Sequence, residues 1–188
     1  MITLRREAPW HVGAREALLD QALGPERQAK SSENLRRGRL PELALVALDG
    51  QSMVGSLRLW AVSEESGART LLLGPLAVDG DLRDQGVGGR LMRAALNWAA
   101  VSHYDAVVLV GDLAYYSRFG FEAGLSNRLF MAGSYDPQRL LALELQPGTL
   151  AELRGELLPA GAFDLAQTDL AAATSAEAAR SLRRRFAN

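Results

Sequence analysis

The sequence predicts an α/β (α+β) fold: one mixed central sheet of about six to seven strands, flanked by helices. Three observations carry this. Residues 43–78 hold three apolar runs separated by turn signals, as in an antiparallel meander. Residues 71–100 read as a buried strand, a glycine-rich loop and an amphipathic helix. The run Ala106-Val107-Val108-Leu109-Val110 is too short for a helix and rich in valine, so it is a second buried strand. A strand–helix–strand unit pairs its strands in parallel through a right-handed crossover, which puts the C-terminal ends of both strands at one edge of the sheet.

Composition narrows the function classes. The chain has 188 residues, enough for one domain with a sizeable core and an appendage. Hydrophobic residues make up 48% and charged residues 23%, and the net charge is −1. That balance gives no overall attraction to nucleic acid or to an anionic membrane, so an anion site has to be local. The absence of cysteine excludes disulfides, thiolate metal sites and a cysteine nucleophile. No run approaches the roughly 18 apolar residues of a membrane helix, and the N-terminus shows no apolar signal core. The expectation is a cytoplasmic protein without metal.

In chain order, Ile2 to Arg5 suits a short strand. A helix follows from Trp10 or His11, with Leu18, Leu19, Ala22 and Leu23 on one side, and Gly24-Pro25 ends it. Ser31 or Ser32 is placed to cap a short helix through Arg37, closed by Gly38 and Pro41. The charges there (Arg27, Lys30, Glu33, Arg36, Arg37, Arg39) read mostly as a solvated surface, with one or two free to meet substrate. Leu43 to Leu48, Val54 to Val62 and Thr70 to Val78 are the meander strands, turned at Asp49-Gly50 and at Glu64-Glu65-Ser66-Gly67. After the helix from about Gly88 to Ala100 and the strand at 106–110, Asp112 caps a short helix that Gly120 terminates. Leu129-Phe130-Met131 and Leu140 to Leu145 read as the last two strands. In the tail, Thr174-x-x-Glu177 matches a capping box and Ala179, Leu182 and Phe186 share a helical face. Residues 1–150 are therefore expected to form the domain, and 151–188 an extension with a tail helix at about 174–186.

The loop Arg83-Asp84-Gln85-Gly86-Val87-Gly88-Gly89 between strand and helix has the properties of an anion site. N–H groups at a helix start lack intrahelical partners and carry the positive end of the dipole, and glycines permit close approach. Arg83, Arg90 and Arg93 add charge. A Walker A loop would need Gly-Lys-Ser/Thr, and Lys30 is the chain's single lysine. A dinucleotide fingerprint would need a third glycine where Leu91 stands, and an acid closing the next strand, whereas Asp105 precedes it.

Arg83-x-x-Gly86-x-Gly88, with Val78 five residues before the arginine, resembles the acyl-CoA pyrophosphate loop of the GNAT acetyltransferase superfamily. A second segment, Ala114-Tyr115-Tyr116-Ser117-Arg118-Phe119-Gly120-Phe121, is similar to that family's tyrosine four residues before a Gly-Phe pair. Many members have asparagine where this chain has Gly111-Asp112. The run from Gly74-Pro75 through Gly120-Phe121 looks most like the YhbS-like branch of predicted N-acetyltransferases.

The resemblance implies a GNAT fold over about residues 2–150, with the meander followed by a parallel βαβ unit at the cofactor site. It implies transfer of an acetyl group from acetyl-CoA, the cosubstrate, to a primary amine by direct attack in a ternary complex. Gln85, Gly86, Val87, Gly88 and Gly89 would cradle the pyrophosphate with Arg83 beside it. The thioester carbonyl would meet the N–H of Leu76, with Ala77 and Val78 along the pantetheine arm. Pro75, lacking an N–H, suits the bulge or splay that frees strand amides there in the family. Tyr116, a phenol with a pKa of roughly 10, would protonate the departing thiolate. Adjacent helical residues point about 100° apart, so one of Tyr115 and Tyr116 is expected to face the cofactor. His103, in the helix-to-strand connection, and His11, at the first helix start, read as surface or capping residues. The acceptor, whether small-molecule amine or peptide or protein amine, is not identified by the sequence, and a homodimer stays open. A non-catalytic acyl-CoA-binding module on the same fold is the alternative.

Overall fold

The computed structural model describes residues 1–125 and 127–165. Strand β1 (Ile2–Arg6) pairs antiparallel with β2 (Leu43–Asp49), from Ile2↔Asp49 to Arg6↔Leu45. Gly50, at φ 60°, turns the chain into β3 (Ser52–Ser63), and β3 pairs antiparallel with β4 (Thr70–Val78). Between β1 and β2 lies helix α1 (Val12–Leu23), ended at Gly24. Helix α2 (Val87–Val101) leads to β5 (Ala106–Val110), which pairs parallel with β4. Helix α3 (Leu113–Tyr116) follows, extended by a 3-10 turn over Ser117–Phe119 that stops at Gly120 in the left-handed region. Strands β6 (Leu129–Phe130) and β7 (Leu140–Glu144), helix α4 (Thr149–Glu152), and strands β8 (Gly155–Glu156) and β9 (Leu158–Pro159) complete the described chain.

The seven-stranded sheet runs β1-β2-β3-β4-β5-β7, with β9 paired to the end of β3. It is antiparallel apart from β4 and β5, as the mixed architecture expected from the sequence requires. On one face, Leu91, Met92, Ala95 and Ala99 of α2 bury against Leu57, Leu59, Leu71, Leu73, Val107 and Leu109. Those four α2 positions form the apolar stripe of an amphipathic helix. On the other face, α1 packs Leu18 and Leu19 against Ala77, and a second cluster joins Trp60, Val62, Leu72 and Val108 to Leu129, Met131 and Leu153. Gly55 on β3 permits the α2 contact, because a Cβ there would lie 2.9 Å from Leu91 Cδ1 and 3.1 Å from Val87 Cγ1. Among the described residues no helix is long and apolar enough to cross a membrane.

Three expectations are corrected. Strand β6 does not join the central sheet; it pairs in parallel with β8 in a separate two-stranded ribbon, while β7 takes the free edge of β5 directly. Strands β8 and β9 follow β7, so β6 and β7 are not the last two. The short helix expected from Ser31 to Arg37 is a 3-10 turn over Ser31–Glu33 followed by turns, because the Ser31 hydroxyl donates to the Ser134 carbonyl at 2.6 Å instead of capping. The tail helix expected at 174–186 lies outside the described residues.

Candidate active site

Strands β4 and β5 pair only from Thr70↔Ala106 to Leu72↔Val108. Beyond Leu72 they diverge, and a cleft opens at the edge where α2 and α3 begin. The β3–β4 register shifts at the same level: Leu59 faces Leu73 and Leu57 faces Leu76, leaving Gly74 and Pro75 opposite Arg58 alone. The Gly74–Pro75 peptide is cis, and the Gly74 carbonyl accepts a hydrogen bond from the buried Trp60 indole at 2.6 Å. A proline with no ladder donor and a glycine at φ 129° suit this bulge.

After the bulge the backbone alternation decides which amides are free. The Asp79 N–H donates to the Val54 carbonyl at 3.0 Å, so it points to β3. Successive residues of a strand point their amides to opposite sides. Ala77 therefore also turns its backbone to β3, and the N–H groups of Leu76 and Val78 point into the cleft, where no strand pairs with them.

The α2 end of the cleft is built by a 3-10 turn at Gly80–Leu82, exposed Arg83, Asp84 at φ 65° and Gly86 at φ 78°. No side chain caps α2. Among the described residues nothing accepts from the N–H groups of Gly86, Val87, Gly88 or Gly89. The Gln85 N–H differs from the expectation: it donates to the Leu82 carbonyl at 3.4 Å within the turn. Arg90 is tied to the Ile2 carbonyl at 3.0 Å.

The opposite wall is α3. Asp112 accepts the Ala114 N–H at 2.9 Å, which fixes the start of the helix. Tyr115 and Tyr116 both line the cavity, in place of the expected one. Their rings stand edge to face with centroids 4.8 Å apart. The Tyr115 hydroxyl lies over Gly88, while the Tyr116 ring lies over Gly111, where a Cβ would overlap it. Burial, with a smaller contribution from Tyr115, pushes the Tyr116 phenol up to about 12, and the Arg139 guanidinium opposes this only in part. Tyr116 thus remains a protonated donor far above neutral pH.

The cavity between these walls holds about 410 Å³, and its far side is closed by α1 and the segment after it. The solvated surface expected in that segment is corrected at two positions. Arg27 is buried, pairing with Glu16 and, at 2.7 Å, with Asp20; Arg36 is buried, pairing with Glu33 at 2.6 Å. Lys30 and Arg37 are exposed. Arg139 reaches the cavity from the turn before β7, because the β5–β7 pairing Val110↔Leu140 returns the chain to the same sheet edge. The sequence carried no signal for Arg139, since the return depends on which strand takes that edge. For Arg36 the signal was present but weak: one arginine among six charges.

Neither histidine lines the cavity, and Glu64 of the β3–β4 turn does not line it either. His103 is exposed in the α2–β5 turn at φ 59°, and the His11 Nδ1 accepts the Ala8 N–H at 3.0 Å. Glu64 is a turn-stabilising hub: burial raises its pKa, but hydrogen bonds from Ser66, Arg154 and Ala68 prevail and hold it below its ordinary value.

Comparison with known proteins places this arrangement. Residues 41–123 match the family model described as an acetyltransferase (GNAT) domain. The chain is 35% identical over 128 residues to the uncharacterized N-acetyltransferase YhbS of Escherichia coli K12, covering 67% of this chain and 77% of that one. The crystal structure of E. coli YhbS in complex with CoA superposes with a TM-score of 0.74 at 28% identity, covering 85% and 89% of the two chains. A Brucella melitensis GNAT family acetyltransferase in complex with acetyl-CoA superposes with a TM-score of 0.63 at 26% identity, covering 87% and 99%. A splayed β4–β5 pair, an uncapped glycine-rich helix start between those strands and this extent of identity lead to one assignment: the chain belongs to the GNAT superfamily of N-acetyltransferases.

Proposed function

We propose that this protein transfers an acetyl group from acetyl-CoA to a primary amine, by direct attack within a ternary complex. The observation that carries the reading is a pair of unpartnered backbone sets: the N–H groups of Leu76 and Val78 on β4, in the lining of the cleft, and those of Gly86 to Gly89 at the start of α2, next to the Arg83 end of that cleft. Such a helix start suits a diphosphate, and free strand amides suit the amide-bearing arm of CoA. Arg83 adds a cation at the loop. Bound acetyl-CoA would supply an activated acyl thioester. The Leu76 N–H, held by the strand, would polarise its carbonyl at no reorganisation cost. Tyr116, neutral and proton-bearing, would donate to the departing sulfur. Ala77 turns its backbone to β3 and its side chain under α1, so its role is to hold the register of its two neighbours. We take residues 1–150 as the acetyltransferase unit and 151–188 as an extension; the β9–β3 pairing and the Arg39–Phe163 stacking at 3.8 Å support its packing on the same body.

The test is isothermal titration with CoA, followed by thiol release from acetyl-CoA across a panel of amines. The expected result is CoA binding that Gly88→Glu abolishes. No heat of CoA association would refute the proposal.

A further inference from the structure

At the far end of the cavity, Arg36 is 8% exposed, and its Nε has no hydrogen-bond partner. Of its five N–H donors, the one bond found among the described residues is from Nη2 to Glu33. Nη1 lies 3.9 Å from where a Gly74 Cβ would stand, beside the bulge in β4. Along β4, Val78 marks the loop end of the cavity and Gly74 the Arg36 end. We propose that the amine acceptor also carries a carboxylate, and that Arg36 anchors it; this rests on the acetyltransferase reading.

Three further facts support it. First, the cavity has an excess of uncompensated cations. Lys30 and Arg139 line it, and no carboxylate pairs with them among the described residues; Arg83, also without a carboxylate, serves the diphosphate at the loop end. The acids in the lining are already used, Glu33 by Arg36 and Asp112 as the cap of α3. Second, burial holds the Arg36 guanidinium below its usual range, with Glu33 opposing and Arg27 and Arg58 adding to the effect. A buried cation short of partners gains from an added anion. Third, the cavity of about 410 Å³ must hold the acyl end of CoA as well, which leaves the acceptor a space of small-molecule scale. A cationic lining repels a plain alkylammonium, but it attracts an amine that carries its own anion. The same cations favour the neutral form of that amine, which is the nucleophile.

The test uses product-like probes, so that it does not depend on turnover. The N-acetylated proteinogenic amino acids and their primary amides are titrated calorimetrically into CoA-saturated protein. At least one acid is expected to bind about tenfold or more tightly than its own amide, the scale of a charge-assisted pair. Arg36→Gln is expected to erase that preference and Arg36→Lys to keep part of it, with folding checked by CoA affinity and the thermal melt. Equal binding of every acid and its amide, no binding by any acid, or an undiminished preference in Arg36→Gln would overturn the proposal. The acid–amide comparison in the wild type needs no variant to fold. The preceding CoA titration separates the two readings: failure to bind CoA removes the acetyltransferase assignment, whereas CoA binding without acid preference removes only the carboxylate acceptor.

Discussion

The hydroxyl of Tyr115 lies over the first turn of α2, where a Cβ on Gly88 would come within 2.7 Å of it. The two walls of the cleft therefore meet at a position that tolerates no side chain. Gly88→Ala should force Tyr115 away and cost about 1–3 kcal/mol of stability, as overpacking does. It should also raise the KM for acetyl-CoA. Tyr115→Phe removes the clashing atom and leaves the ring carbon at 4.0 Å. A double-mutant cycle on thermal stability and KM should then show Tyr115→Phe recovering part of the Gly88→Ala loss.

Tyr116→Phe should lower kcat by about 10²–10⁴, the range for loss of a general acid, with little change in CoA affinity. The pH profile gives a second check. Because the phenol is pushed up to about 12, it stays protonated through the alkaline range, and kcat should show no fall assignable to Tyr116 below about pH 11. A wild-type alkaline limb below about pH 11 that disappears in Tyr116→Phe would contradict the raised pKa, and an undiminished kcat in Tyr116→Phe would contradict the role.

Arg83 is exposed and has no carboxylate partner among the described residues, so its charge is available to a ligand. Arg83→Glu should raise the KM for acetyl-CoA roughly tenfold or more while leaving the thermal midpoint unchanged. The wild-type KM should rise with ionic strength and the variant's should not, since added salt screens an exposed attraction.

Under α1, Glu7 bridges Arg15 and Arg58, with its own side chain 5% exposed. Removing it leaves the half-buried Arg58 without a carboxylate partner and the buried Arg15 with Glu16 alone. Glu7→Ala should cost about 3–5 kcal/mol in a denaturant titration, the scale for breaking a buried ion pair.

Much of this was legible in the sequence because it is local. The valine run at 106–110, the apolar stripe Leu91-Met92-Ala95-Ala99 and the turn glycines each express a period or a φ preference that a few neighbouring residues determine. The strand bounds Thr70–Val78 and Ala106–Val110 agree with expectation to the residue. The cap at Asp112 is equally local, since its acceptor and donor lie two residues apart. Ser31 failed as a cap because its partner, Ser134, is remote in the chain.

By itself, then, the sequence determined the βαβ unit, the glycine-rich helix start and the family, since these depend on residue type at short spacing. Only the tertiary structure decided that both tyrosines enter the cleft, that Gln85 spends its N–H inside the turn, that β7 rather than β6 closes the edge, and that Arg36 and Arg139 meet at the cavity. The physical reason is that side-chain burial and strand partnership are settled by segments far apart in the chain competing for the same edge and the same volume, and no local pattern records which of them prevails.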